Sequence, residues 1–123
     1  MNFKIQKRDE YFLLDYSDRV DLNSIISSYS TLLQNPEFKK DSHTLWNFTK
    51  SLLDLSLEDI HKIAEAVIAA SQQRANTARS AFVVQDPSDK AILQTYITET
   101  ARFPVEFKIF DNERDGVNWL KEV

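Results

Sequence analysis

"SAFVVQDPSDKAILQTYITETARFPVEFKIF", Ser80 to Phe110, is the stretch whose reading decides the fold. Its opening run, Ala81 to Val84, is continuously apolar, the mark of a strand covered on both faces. Asp86 and Pro87 follow at once, and proline suits the first turn of a helix because its missing N–H is not needed there. Ile92, Leu93, Tyr96 and Ile97 then recur at helical spacing. After Phe103–Pro104 the period drops to two: Val105, Phe107 and Ile109 alternate with Glu106 and Lys108, which predicts a strand at or near a sheet edge. Strand, helix and strand in so short a span form a parallel unit with a right-handed crossover.

The rest of the chain extends that unit. Asn2 to Lys7 alternates, with Phe3 and Ile5 on one side, and Tyr11 to Ser17 reads as a second strand, so the two form a hairpin across "KRDE". From Asp21, a candidate cap, Leu22, Ile25, Ile26, Tyr29, Leu32 and Leu33 take helical spacing until Asn35–Pro36 stops them. "HTLWNF" gives a third strand centred on Leu45 to Phe48. A helix over about Ser56 to Asn76 follows, with Leu57, Ile60, Ile63, Ala64, Val67, Ile68 and Ser71 on one stripe. "NERDGVNWLKEV" closes the chain as a short helix with Val117 and Leu120 inward. The order is ββαβαβαβα: an α/β chain with a mixed, mostly parallel sheet, an N-terminal antiparallel hairpin and four helices. Residues 1–123 are expected to form one domain, since the length suits a single core and no repeat or linker interrupts it.

Composition removes several classes of function. The chain has no cysteine, which excludes disulfides, thiolate metal sites and a cysteine nucleophile, and its single glycine, Gly116, excludes a glycine-rich phosphate loop. A formal net charge of −4 argues against nucleic acid as a partner. No run approaches the length of a membrane helix, and "MNFKIQKRDE" lacks the apolar core of a signal peptide, so a cytoplasmic location is expected.

With the stretch extended through "DNERDGVNWL", the run of features is that of a known family. A buried strand and its helix lead through Phe103–Pro104 to a strand ending Ile109–Phe110–Asp111, then to a short helix closing in Trp119–Leu120. Together with the hairpin and "LWNF", this resembles the SpoIIAA-like proteins of the STAS/Sec14 superfamily. The resemblance implies that fold, regulatory protein partners or lipid-like ligands, and no catalytic signature. It breaks at one place. STAS domains that antagonise anti-sigma factors carry an aspartate, a phosphorylatable serine or threonine and a glycine at the start of the helix after the third strand. Here that region reads Leu53–Asp54–Leu55–Ser56–Leu57–Glu58, without glycine. Gly116 stands where a small helix former is usual, at a local cost of ~0.5–1 kcal/mol.

Ser56 therefore has two readings. As a helix cap it makes an approximate capping box with Asp59, worth ~0.5–2 kcal/mol. As a phosphorylation site it would gain from the helix dipole, but Asp54, Glu58 and Asp59 surround it and no arginine lies near in sequence. The cap reading is the stronger.

Other candidates gather where parallel strands end, the usual ligand edge of such sheets. Asn47, Thr49, Ser56, Asp86, Ser88, Asp111 and Asn112 are expected there. The acids could form a Mg²⁺ site. The simpler account makes Asp86 and Asn112 helix caps, completed by Asp89 and Asp115, so no metal or other cofactor is assigned. His43 and His61 have no sequence partner for a triad. Among the many aromatics, which include Phe12, Tyr16, Tyr29 and Tyr96, Phe38, Trp46 and Phe48 are the candidates for the wall of an apolar pocket. Ala66 and Ala69 on the back of the long helix could admit a partner helix. The leading expectation is a noncatalytic STAS-like module that binds a protein partner or forms a homodimer. The alternative is a carrier or sensor of an apolar small molecule or lipid, and an enzyme using the strand-end acids ranks third.

Overall fold

The computed structural model describes residues 2–122 except 71, 73 and 76. Five strands form one sheet in the order β1 (Phe3–Lys7), β2 (Phe12–Val20), β3 (Thr44–Leu53), β4 (Arg79–Val83) and β5 (Glu106–Phe110). β1 pairs antiparallel with β2, and every later pairing is parallel. The four helices are α1 (Leu22–Leu33), α2 (Leu57–Ala69), α3 (Pro87–Glu99) and α4 (Glu113–Leu120). Element order and mixed pairing are those read from the sequence.

Strand order equals chain order, so each right-handed crossover steps one strand in the same direction and leaves its helix on the same face. That face holds the larger core. Phe12, Leu14 and Tyr16 of β2, Trp46 and Phe48 of β3, and Phe82 of β4 meet Ile25, Tyr29 and Leu32 of α1, Ile60, Ile63 and Val67 of α2, and Leu93 and Tyr96 of α3. The intervening residues Leu13, Leu45, Ala81 and Val83 point the other way, onto Trp119 and Leu120 of α4. β4 is buried from Ser80 through its end at Val83, as is Val84 after it, as a strand with helices on both sides requires.

Helix starts follow local chemistry. Asp21, Ser56, Asp86 and Asn112 each accept a backbone N–H three residues on, and Pro87 opens α3. Gly116 has a specific reason. A Cβ there would lie 3.3 Å from Leu45 Cδ1, 3.5 Å from Ala81 Cβ and 3.5 Å from Val83 Cγ2, so its bare Cα lets α4 press onto β3 and β4.

Three boundaries differ from expectation. β2 runs on to Val20 rather than stopping at Ser17, and β3 runs on to Leu53, because the two strands continue to pair beyond a bulge between Asp15 and Ser17. The polar residues there carry no alternating pattern; the partner strand holds them. Asp18 takes a left-handed φ of 59° in this extension, a conformation that aspartate tolerates better than most residues. α2 ends at Ala69 with Ala70 as its cap, shorter than the span read to Asn76. Ser71 and Asn76, placed in that helix from sequence, lie outside the described residues.

Candidate functional site

α2 packs chiefly on α3 and α1, and beneath it the helical layer leaves a cavity of about 50 Å³ against the sheet. Trp46 and Phe48 from β3 and Phe82 from β4 form its floor, and Ile25 and Tyr29 from α1, Ile63 and Val67 from α2, and Leu93 and Tyr96 from α3 its walls. A space of this size holds water or a few ligand atoms, not a large ligand. Trp46 keeps its ring in place by donating from Nε1 to Thr44 Oγ1 at 2.9 Å, and Thr44 Oγ1 lies 2.7 Å from Ser80 Oγ across the strand pair. Phe38 departs from the pocket expectation. It lies outside the lining and packs edge-on against Phe12, with ring centres 5.4 Å apart, because the loop that carries it folds back over the N-terminal end of the sheet.

One charged side chain also lines the cavity. Arg74, in the connection between α2 and β4, is only 6% exposed. Its Nη2 donates to the Ser42 carbonyl at 2.7 Å, and its guanidinium lies 4.7 Å from the centre of the Phe38 ring. Among the described residues its Nε finds no hydrogen-bond partner, and neither does the Tyr29 hydroxyl beside it. The two groups are near enough to perturb each other's pKa, yet no hydrogen bond of ordinary geometry joins them. Burial pushes the guanidinium below its usual pKa and the Tyr29 and Tyr96 phenols above theirs. Tyr16, by contrast, is satisfied, its hydroxyl 2.5 Å from Ser28 Oγ.

A second feature sits at the start of α2. Leu57 is 63% exposed there, unusual for leucine; Leu52, 62% exposed, lies on β3 instead. Leu57 lines a surface groove of about 200 Å³ with Leu55, Ser56, Ile60, Ile92 and Thr95. Ser56 lies within the groove wall, and its geometry is a full capping box: Oγ accepts from Asp59 N at 3.0 Å, and Asp59 Oδ2 accepts from Ser56 N at 3.0 Å. Asp54, Glu58 and Asp59 make this end acidic. The arginine that the sequence did not place near Ser56 arrives from β2, where Arg19 Nε lies 2.5 Å from Asp54 Oδ2 and Nη1 3.2 Å from Asp21 Oδ2.

The polar residues expected at the strand ends divide into two groups. Asn47 lies inside β3, level with the end of β4; its Nδ2 donates to Asp15 Oδ1 at 3.3 Å and its Oδ1 accepts from Thr49 N and Oγ1. On the other side, Asp86 caps α3, Asp111 pairs with Lys90, and Asn112 caps α4. The exposed Ser88 makes no side-chain hydrogen bond among the described residues. No group of three or more His, Asp or Glu among the described residues is placed to hold a metal ion. His43 Nδ1 accepts from Arg79 N at 2.9 Å, and His61 Nδ1 lies 3.1 Å from Glu99 Oε2. Ala66 and Ala69 are exposed on the outer face of α2.

Sequence reasoning missed Arg74, the Tyr29 hydroxyl and the exposure of Leu52 and Leu57. Arg74 sits in a polar stretch that resembles any solvated helix end, and Leu57 has the spacing of a core residue. Only the early end of α2 and its height above the sheet separate these cases.

Comparison with known proteins gives one family and one fold. The family model described as "Domain of unknown function (DUF7793)" matches residues 49–123. No curated protein matches the chain. Among solved structures, an uncharacterized protein of the DUF3478 family with a SpoIIAA-like fold, from Shewanella loihica PV-4, is similar with a TM-score of 0.61 at 16% identity, covering 96% of this chain and 91% of that one. The anti-sigma factor antagonist SpoIIAA in its unphosphorylated form is similar with a TM-score of 0.55 at 12% identity, covering 98% and 99%. The fold is SpoIIAA-like.

Proposed function

Because the chain belongs to the DUF7793 family and carries a SpoIIAA-like fold, we propose that residues 1–123 act as one noncatalytic, STAS-type module in the cytoplasm that binds a protein partner. The observation that carries this reading is the exposed Leu57 at the start of α2. Leu57 is 63% exposed in the wall of a groove that Leu55, Ile60 and Ile92 also line, so apolar surface lies open to a partner there. Asp54, Glu58 and Asp59 rim the same end. A symmetric homodimer through this patch would set those acids against their own copies. A partner presenting an apolar side chain flanked by lysine or arginine fits instead. In this reading Ser56 serves as the cap that holds the patch in shape. One fold neighbour, SpoIIAA, is an anti-sigma factor antagonist, which lends the protein-partner reading some support by analogy.

The test is native mass spectrometry on protein purified gently from its own cells, beside the Leu57→Asp variant. The reading expects a noncovalent protein complex that separates on denaturation, and a bare chain for the variant at an unchanged melting temperature. A variant that keeps the complex overturns it, as does a wild-type chain carrying no protein.

The second reading, a carrier or sensor of an apolar small molecule, is favoured by the cavity beneath α2 and its floor of Trp46 and Phe48. A small-mass adduct in the same native spectrum would move it to the front.

A further inference from the structure

We propose that the cavity beneath α2 is an anion site in which Arg74 receives the carboxylate of a short-chain apolar acid. This rests on the small-molecule reading above and adds the charge and shape of the ligand. A guanidinium cannot escape burial by giving up its proton in ordinary conditions, so an arginine withdrawn from water requires acceptors or an opposite charge. Arg74 has few of either. The Ser42 carbonyl occupies one nitrogen and Phe38 covers a face, but among the described residues Nε makes no hydrogen bond of ordinary geometry and no carboxylate pairs with it.

The Tyr29 hydroxyl is the second unsatisfied group in the same lining. The hydroxyl can donate or accept, but it and the guanidinium face each other without a hydrogen bond of ordinary geometry, so an acceptor reaching both would take an N–H from one and the O–H from the other. A carboxylate has two oxygens to offer, one for each. Around them Ile25, Ile63, Val67, Phe82 and Leu93 suit a hydrocarbon body and nothing polar. The cavity of about 50 Å³ takes the carboxylate and its first carbons. The lining continues to the half-buried Leu55 and to Ile26, 37% exposed, so a longer chain has a route to the surface between α1 and α2. A doubly charged phosphate would leave its second charge uncompensated against apolar walls.

The test titrates hexanoate and the neutral hexanamide into the full chain, with calorimetry for affinity and the Arg74 Nε–H resonance as the local reporter. Hexanoate is expected to bind about tenfold more tightly than hexanamide, since the charge-assisted bonds are lost with the amide, and to shift that resonance. Tyr29→Phe should weaken hexanoate and leave hexanamide unchanged, and Arg74→Gln should remove the preference. If Arg74→Gln does not fold, Tyr29→Phe and the wild-type resonance decide. Equal affinity for the two compounds overturns the anion site and leaves an apolar cavity. Binding of neither overturns both the anion site and the small-molecule reading.

Discussion

At the residue scale, Ser56 shows how much one hydroxyl can be committed to. Its Oγ holds the Asp59 N–H while the Asp59 carboxylate holds its own N–H, so two of the orphan donors at the start of α2 are satisfied reciprocally. Ser56→Ala should therefore lower stability by ~0.5–2 kcal/mol, read as an earlier denaturant midpoint at unchanged slope. A phosphate in its place would add about −1.5 to −2 charges among Asp54, Glu58 and Asp59, and Arg19 is already engaged by Asp54 and Asp21. Caps of this kind were legible in the sequence because both partners lie within one turn. Arg74 was not legible: its burial depends on Ser42 and Phe38, distant in sequence, and a single arginine carries no local sign of where its side chain will lie.

At the element scale, α4 is set by its one glycine. A methyl at position 116 would gain helix propensity of ~0.5–1 kcal/mol, yet it would sit 3.3 Å from Leu45 Cδ1, closer than a relaxed contact. The two effects oppose each other, so Gly116→Ala should leave the melting temperature near that of the wild type, whereas Gly116→Leu should lower it sharply by lifting α4 off β3 and β4. Calorimetry on the two variants checks both statements. Sequence periodicity identified α4 and the strands beneath it because apolar spacing is local. It failed to extend β2 to Val20 and β3 to Leu53, since the polar residues there are held as strands by each other and not by a buried face. It also ran α2 too long, because nothing in the polar residues after Ala70 signals that the chain turns back toward β4.

At the scale of the whole molecule, topology decides what the surface can do. Three crossover helices share one face, and α2 packs chiefly on the other two, so the start of α2 stands away from the sheet and Leu57 is left in water. The same lift opens the cavity below, so a partner seated on α2 and a ligand beneath it would both act on this one helix. The alternation of strands and helices made the fold legible, but which apolar residues stay exposed follows from how helices stack, and that is a property of the assembled layers. The direct test of the partner-binding surface is a photo-crosslinking residue at position 57 in the native cell, with the same residue at Lys4, exposed on the opposite sheet face, as control. A single protein adduct from position 57, joined to a chain other than its own and absent from position 4, is the predicted result. No adduct at 57, an equal yield from both positions, or a crosslink between two copies of this chain would contradict it.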